Sequence, residues 1–347
     1  MSSLIGEPFL TVVIPVWNRE KEIVRCLESI LEQDYGECEV VVVDDASTDL
    51  SAQVVEGYEK RCQGIRLVRH GSNLGTCAAR GTGVGSARGQ WILFMDSDDR
   101  LEPGALSQIA GRARSAPERV GVLGSSLRMQ SGEISPDPPL PPSEIDFSDF
   151  LRWANKAQRT DIALCHRREV YESLSWPRDR RMEQLFHMMV ASRWKQLFSP
   201  EVLVRVHTDA AVRWSVPSAA RRRLLRRAAK DIVAERDEML QRFGKTLQDV
   251  APDIYVTAIK RAGFYSFVAG ERKQGLQYLL RYLRLRPTEL RAWSILVIGL
   301  VNAEGLLWLH SKWEGMRHWA RGQSWAYGHW RFRANGTLPG KGGNRSD

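Results

Sequence analysis

Three apolar, β-branched runs in the first hundred residues each break off into a short polar or acidic cluster, and this arrangement limits the possible folds of the 347-residue chain more than any other feature. Residues 10–16 (LTVVIPV) run into Trp17-Asn18-Arg19. Val40–Val43 runs into Asp44-Asp45-Ala46-Ser47-Thr48-Asp49, and residues 91–95 (WILFM) into Asp96-Ser97-Asp98-Asp99. Runs this short, apolar on both sides of the chain, suit strands buried on both faces. Between them, Ile23, Leu27, Ile30 and Leu31 recur at helical spacing. The same alternation predicts a helix near 49–62, a strand at 65–69, a helix near 75–88, a helix from Pro103 and a strand near 119–124. Strand–helix alternation at this pitch predicts an α/β fold with a mostly parallel sheet covered by helices on both faces. Such sheets take ligands beyond the carboxyl ends of their strands, where all three polar clusters fall.

Each cluster has a plain structural reading and a chemical one. Asp96, Asp98 and Asp99 are either a solvated acidic loop or oxygen ligands for a divalent cation that clamps a diphosphate. Three carboxylates crowded behind an apolar strand repel one another unless a cation relieves them. Asp45 or Ser47 can cap the following helix, while a carboxylate of the Asp44-Asp45 pair can instead accept hydrogen bonds from a nucleoside. Asn73-Leu74-Gly75 suits a tight turn before a helix, whose N-terminus attracts phosphate. Arg80 could reach a diphosphate from that helix or simply pack against the sheet edge.

Taken together, these segments resemble the family-2 glycosyltransferases, whose nucleotide-binding domain has the GT-A fold. The resemblance is carried by Val13-Ile14-Pro15-Val16-Trp17-Asn18, by Val43-Asp44-Asp45-Ala46-Ser47-Thr48-Asp49, by Asn73-Leu74-Gly75 with Arg80, and by Phe94-Met95-Asp96-Ser97-Asp98-Asp99 leading to Pro103. It is strong over about residues 8–125 and weak from 125 to 215. The resemblance implies that Pro15, Val16 and Asn18 surround a nucleoside, that Asp44 and Asp45 belong to its pocket with Asp45 bonding the base, and that Arg80 lies near the diphosphate. It implies that Asp96 and Asp98 touch ribose and Mn2+ or Mg2+, with Asp99 a further ligand. It also implies a catalytic base in a short acidic motif opening a later helix. Met182-Glu183-Gln184-Leu185-Phe186 is the nearest match, so Glu183 falls on the base position, with Asp179 the fallback. Gln184 departs from the acid many relatives carry there, and Gly81 from their asparagine. His207 resembles a late histidine that some members place near the metal.

The implied activity is inverting transfer of a sugar from a nucleoside-diphosphate sugar, UDP first, to a hydroxyl of a saccharide or lipid-linked acceptor in polysaccharide or glycolipid assembly. A carboxylate takes the acceptor's proton in such a reaction. A non-catalytic protein that binds a nucleotide sugar or a partner is the alternative.

The rest of the chain reads differently. Residues 131–144 (SGEISPDPPLPPSE) form a loop or hinge, and from 216 onward the sequence is helical, over 219–242, 253–270, 271–286 and 288–320. This predicts a catalytic domain at 1–215, a helical region at 216–333 and a disordered tail at 334–347, with no internal repeat. Residues 1–120 carry a net −5 and the remainder a net +14 of the chain's +9. The basic half, which includes the run Arg221–Arg227 and six of the twelve tryptophans between 291 and 330, suits either an anionic membrane surface or a bundle with a charged outer face. No nucleic-acid motif is present. Five cysteines without a CxxC pair argue against a disulfide scaffold. With no signal-like start and no run long enough to span a bilayer, the expected place is the cytoplasm, at most the inner face of the plasma membrane.

Overall fold

A computed structural model describes residues 8–177, 183–207, 218–302 and 305–307. The elements of the first half run β1 (Leu10–Val16), α1 (Glu22–Leu31), β2 (Cys38–Asp44), α2 (Ser51–Arg61), β3 (Ile65–Arg69), α3 (Thr76–Ser86), β4 (Trp91–Phe94), β5 (Arg100–Leu101), α4 (Ala105–Ser115) and β6 (Val120–Arg128). Two short strands follow, β7 (Ile134–Ser135) and β8 (Glu144–Ile145), then α5 (Phe147–Lys156), β9 (Ala163–Arg167), α6 (Val170–Ser173), α7 (Glu183–Arg193) and β10 (Lys195–Arg205). Four helices close the described chain: α8 (Ser218–Val250), α9 (Pro252–Val268), α10 (Arg272–Leu285) and α11 (Leu290–Val301).

The strands join one sheet in the order β3-β2-β1-β4-β9-β6-β10-β5, with β7 beside β6 and β8 beside β10. The β3-β2-β1-β4 half is parallel throughout. β9 then inserts antiparallel between β4 and β6, while β10 runs parallel to β6. The sheet is thus mostly parallel and of the GT-A type, as the sequence predicts. β1 and β2 are buried along their whole lengths, which is why their centres are runs of Val and Ile rather than an alternation of apolar and polar residues. Helix α4 begins at Ala105, two residues beyond Pro103, because Gly104 takes a left-handed φ of +75° as the cap.

Two main cores result. One packs Leu10, Ile14, Ile23, Leu27, Val40 and Leu106 around the parallel half. The other unites Phe150, Leu185, Met188 and Phe198 with Met239, Ile254, Phe267 and Leu279 of the helical half. The helices after 216 therefore share apolar packing with the 140–198 segment. A side chain such as Phe267, 1% exposed, contributes about 1.5–3 kcal/mol by burial. Among the described residues no helix is long and apolar enough to cross a membrane. Asp179, the predicted tail and most of the basic run Arg221–Arg227 lie outside what can be described at side-chain level.

Candidate active site

The polar clusters after β1, β2 and β4 meet because those three strands are neighbours in the parallel sheet and all point the same way. Asn18 stitches the first two loops together. Its N–H donates to Ser47 Oγ at 3.0 Å, and its Oδ1 accepts from the Thr48 N–H at 2.8 Å. Both turns are tight enough to force positive φ on non-glycine residues, 51° at Asn18 and 59° at Ala46. Pro15 and Val16, at the buried end of β1, lie directly beneath this junction.

Asp44 and Asp45 are both buried, and the structure gives Asp45 a specific task. Its carboxylate accepts from the Leu74 N–H at 2.9 Å, from the Gly75 N–H at 2.7 Å, and pairs with His70 Nδ1 at 2.7 Å. With φ of +92°, Gly75 can turn its amide toward Asp45 just before α3 begins. The carboxylate expected to bond a nucleobase also anchors the 70–75 loop. The sequence marks Asn73-Leu74-Gly75 as a turn but does not reveal that Asp45 and His70 hold it. Asp44 accepts from the Ser47 N–H at 3.3 Å, which closes the turn after β2.

Arg80 is the centre of the site. It lies on α3 and is only 6% exposed. Its Nη2 sits 2.6 Å from Asp96 Oδ1, and its Nη1 3.4 Å from Glu183 Oε1. Burial opposes its charge, but the carboxylates of Asp96 and Glu183 outweigh that effect and raise its pKa. Glu183, itself 4% exposed, is the first residue of α7. Beside it, burial first and the Glu183 charge second push the Cys77 thiol up to about 12, so that thiol stays protonated. Gly81, next to Arg80, faces Trp176 so closely that an added Cβ would come within 3.0 Å of the ring. That contact accounts for the absence of a larger residue there.

The acidic cluster after β4 is spread over several partners. Asp98 faces Arg19 at 4.0 Å, its carbonyl accepts from Arg25 at 2.9 Å, and Asp99 Oδ1 accepts from the His207 N–H at 3.2 Å. All three carboxylates surround the buried Cys26 thiol, whose pKa rises through burial and then through Asp99, Asp98 and Asp96. Among the described residues, no group of three or more His, Cys, Asp or Glu side chains is disposed to hold a metal ion. The expected joint ligand set of Asp96, Asp98, Asp99 and His207 is therefore not assembled as a protein cage. Arginines and a backbone amide draw the carboxylates apart and offset their mutual repulsion. The donor type nevertheless fits Mg2+ or Mn2+, hard cations usually held by one or two carboxylates together with substrate phosphates. Asp96 and Asp98 keep 22% and 17% of their side chains exposed, enough to meet such a ligand.

α7 is held from behind as well. The buried Arg236 of α8 donates to Gln184 Oε1 at 2.7 Å and lies 3.1 Å from Glu235. Burial raises the pKa of the neighbouring Glu235. Consecutive residues at the start of α7 thus bond to α3 on one side and α8 on the other. Sequence reasoning missed this anchor; the adjacent Glu235-Arg236 pair was its only visible sign.

The profile described as "Glycosyl transferase family 2" matches residues 11–134, the stretch that builds all three loops. That segment is a family-2 glycosyltransferase domain. The chain is 38% identical over 132 residues to the succinoglycan biosynthesis protein ExoO of Rhizobium meliloti, covering 36% of this chain and 37% of that protein. It is 31% identical over 126 residues to the uncharacterized glycosyltransferase EpsJ of Bacillus subtilis, covering 36% of each. The matched segments thus span little more than a third of these relatives. Over a longer stretch, the glycosyltransferase domain and its helical extension align with the crystal structure of S. aureus TarS 1–349. The TM-score is 0.52 at 18% identity, covering 91% of this chain and 93% of that one. That likeness establishes a shared fold.

Proposed function

We propose that the protein is an inverting glycosyltransferase that moves a sugar from a nucleoside-diphosphate sugar to an acceptor hydroxyl. The observation that carries this reading is the meeting of Asp96 and Glu183 on the two sides of the Arg80 guanidinium. A donor-side acid and a helix-terminal acid far apart in sequence are held within reach of one site by this guanidinium. In this reading Pro15, Val16 and Asn18 wall the nucleoside, and Asp44 and Asp45 hold the loops that shape its pocket. Asp96 and Asp98, with Asp99 and His207 behind them, hold Mn2+ or Mg2+ against the diphosphate. That cation offsets the charge growing on the leaving group.

The chain's own residues do the rest. Glu183 faces the Arg80 guanidinium at 3.4 Å, and an opposite charge favours the carboxylate form, the one that accepts a proton from an attacking hydroxyl. Arg80 holds Glu183 at a fixed offset from Asp96, so acceptor and donor are oriented together. Arg236 and Glu235 keep the first turn of α7 from drifting. Inversion follows from this one-base arrangement, with direct displacement at the anomeric carbon.

UDP is the proposed nucleotide, supported by the fold shared with TarS 1–349, whose structure in complex with UDP-GlcNAc gives a TM-score of 0.52. A saccharide or lipid-linked acceptor is the proposed acceptor class, and the similarity to a succinoglycan biosynthesis protein supports a place in polysaccharide assembly. The test is turnover of UDP-, GDP- and TDP-sugars with and without Mn2+, read as release of the nucleoside diphosphate. Metal-dependent release from one donor class is expected. No release from any of them, by protein shown to be folded, would remove the enzymatic reading in favour of a binding protein.

A further inference from the structure

The helical region holds a feature that the catalytic reading does not use. Helices α9 and α10 form a tight antiparallel pair that turns at Gly270, where φ is +87°. An added Cβ at Gly263 on α9 would lie 2.8 Å from Leu279 Cγ on α10, so the two helices touch backbone to side chain at that point. Tetratricopeptide repeats, about 34 residues long, place a small residue there, in the pattern W-x2-L-G-x2-Y, then A-x3-F, then P. The pair keeps the glycine and the proline of this pattern, Gly263 and Pro287 after α10, with Ala262, Gly275 and Leu279 at its leucine, alanine and phenylalanine positions. Ile259 and Ser266 occupy its two aromatic positions, and both are fully buried.

One repeat length further on, the tryptophan position falls on Trp293, the leucine position on Leu296, and the small position on Val297. All three are on α11, which packs against the first pair through Gly299, where an added Cβ would be 2.6 Å from the Phe267 ring. In α9 the equivalent face is covered by α10. In α11 it is open: Leu290 is 80% exposed, Trp293 45%, Val297 60% and Val301 76%. The chain continues past this face with the residues needed to cover it. Leu309, Trp313 and Met316 fall one repeat after Gly275, Leu279 and Tyr282, at helical spacing. Leu306 and Leu307, where that segment begins, are already buried.

We propose that residues 256–321 form two tetratricopeptide-type repeats, and that the exposed apolar stripe of α11 is the docking surface for the chain's own 306–319 segment, the counterpart of α10. Repeats of this kind cannot bury their apolar faces alone and are completed by the next helix in the stack. This register is not visible to a search for internal repeats in the sequence. The second copy replaces the diagnostic glycine by Val297 and the proline by Arg321, so the pattern becomes readable only once the α9–α10 contact is known.

The test uses the full-length chain. Hydrogen–deuterium exchange of the wild type should show protected amides across both α11 and 306–319. In parallel, the double variant Val297→Cys/Trp313→Cys, mildly oxidised and peptide-mapped, should yield a 297–313 link within one chain. Val297→Cys/Ser311→Cys, with the second thiol on the far side of the helix, should not. Exchange over 306–319 at the rate of an unfolded peptide would overturn the proposal, whatever the variants do. So would a 297–313 link found only between chains, which means a second copy covers the stripe. Protection that appears only with vesicles of anionic lipid would overturn it too, because the stripe then belongs to a membrane surface.

Discussion

Arg80 and Glu183 stand 3.4 Å apart, although one lies on the helix after β3 and the other opens a helix beyond the last Pro-rich loop. Both are nearly excluded from water, and Arg80 also grips Asp96. Removing one member of a buried ion pair leaves the other uncompensated, at a cost of about 3–5 kcal/mol. Arg80→Met should therefore lower unfolding free energy by that order in urea titrations. Glu183→Gln keeps a hydrogen-bond acceptor beside Arg80 and should cost clearly less stability. It should nonetheless depress transfer by about 10²–10⁴-fold, the contribution of a general base. If transfer persists in Glu183→Gln, another carboxylate, Asp179 first, is the base.

Asp98 is expected to act through the cation rather than through the fold. Asp98→Ala should leave the thermal midpoint without ligand close to wild type. The rise in midpoint caused by UDP with Mn2+ should disappear, because ligand stabilisation scales with affinity. The rate should fall by an amount on the order of several kcal/mol in transition-state stabilisation. An unchanged metal-dependent rate would refute the assignment.

The anchor behind α7 gives a coupling experiment. Arg236→Met strands the buried Glu235 carboxyl, whereas Glu235→Gln/Arg236→Met removes both charges. The double variant should be destabilised by less than the sum of the single effects, with a coupling of about 0.5–3 kcal/mol in a thermodynamic cycle. Burial raises the Glu235 pKa in the folded state. Its protonated form is then favoured by folding, so this contribution is fully present at low pH and is lost as pH rises through the folded value. Taking away Arg236, which opposes that rise, should extend the loss to higher pH. Independence of the two mutations would mean that the pair does not act as a unit.

His166 offers a pH prediction of the opposite sign. It is fully buried in an aromatic nest, with Nδ1 2.7 Å from the Tyr171 hydroxyl, and burial lowers its pKa from 6.5 to about 3. The unfolded chain therefore binds a proton between pH 6.5 and 3 that the folded chain refuses. The His166 contribution is complete above about pH 6.5 and declines by about 1.4 kcal/mol per unit as pH falls toward 3. His166→Phe should flatten the stability–pH curve in that window relative to wild type. Identical slopes would show that His166 already titrates freely in the native state.

The amino-acid sequence alone determined the parallel half of the sheet and the positions of its three polar loops. Apolar, β-branched runs ending in Asn18, Asp44-Asp45 and Asp96-Asp98-Asp99 suit strands buried on both faces, and the ligand edge follows from strand direction. Glu183 was singled out by its motif, but its contact with Arg80 was not. Only the tertiary structure decided what these groups do to one another. Asp45 was drawn to the amides of Leu74 and Gly75, Arg80 became a bridge between Asp96 and Glu183, and α8 was set against α7 through Arg236. These are contacts between residues tens to more than a hundred positions apart, and local periodicity carries no information about them. They exist because burying a charge is tolerable only when an opposite charge or a hydrogen-bond donor is buried with it, and the folded packing alone determines which partner is within reach.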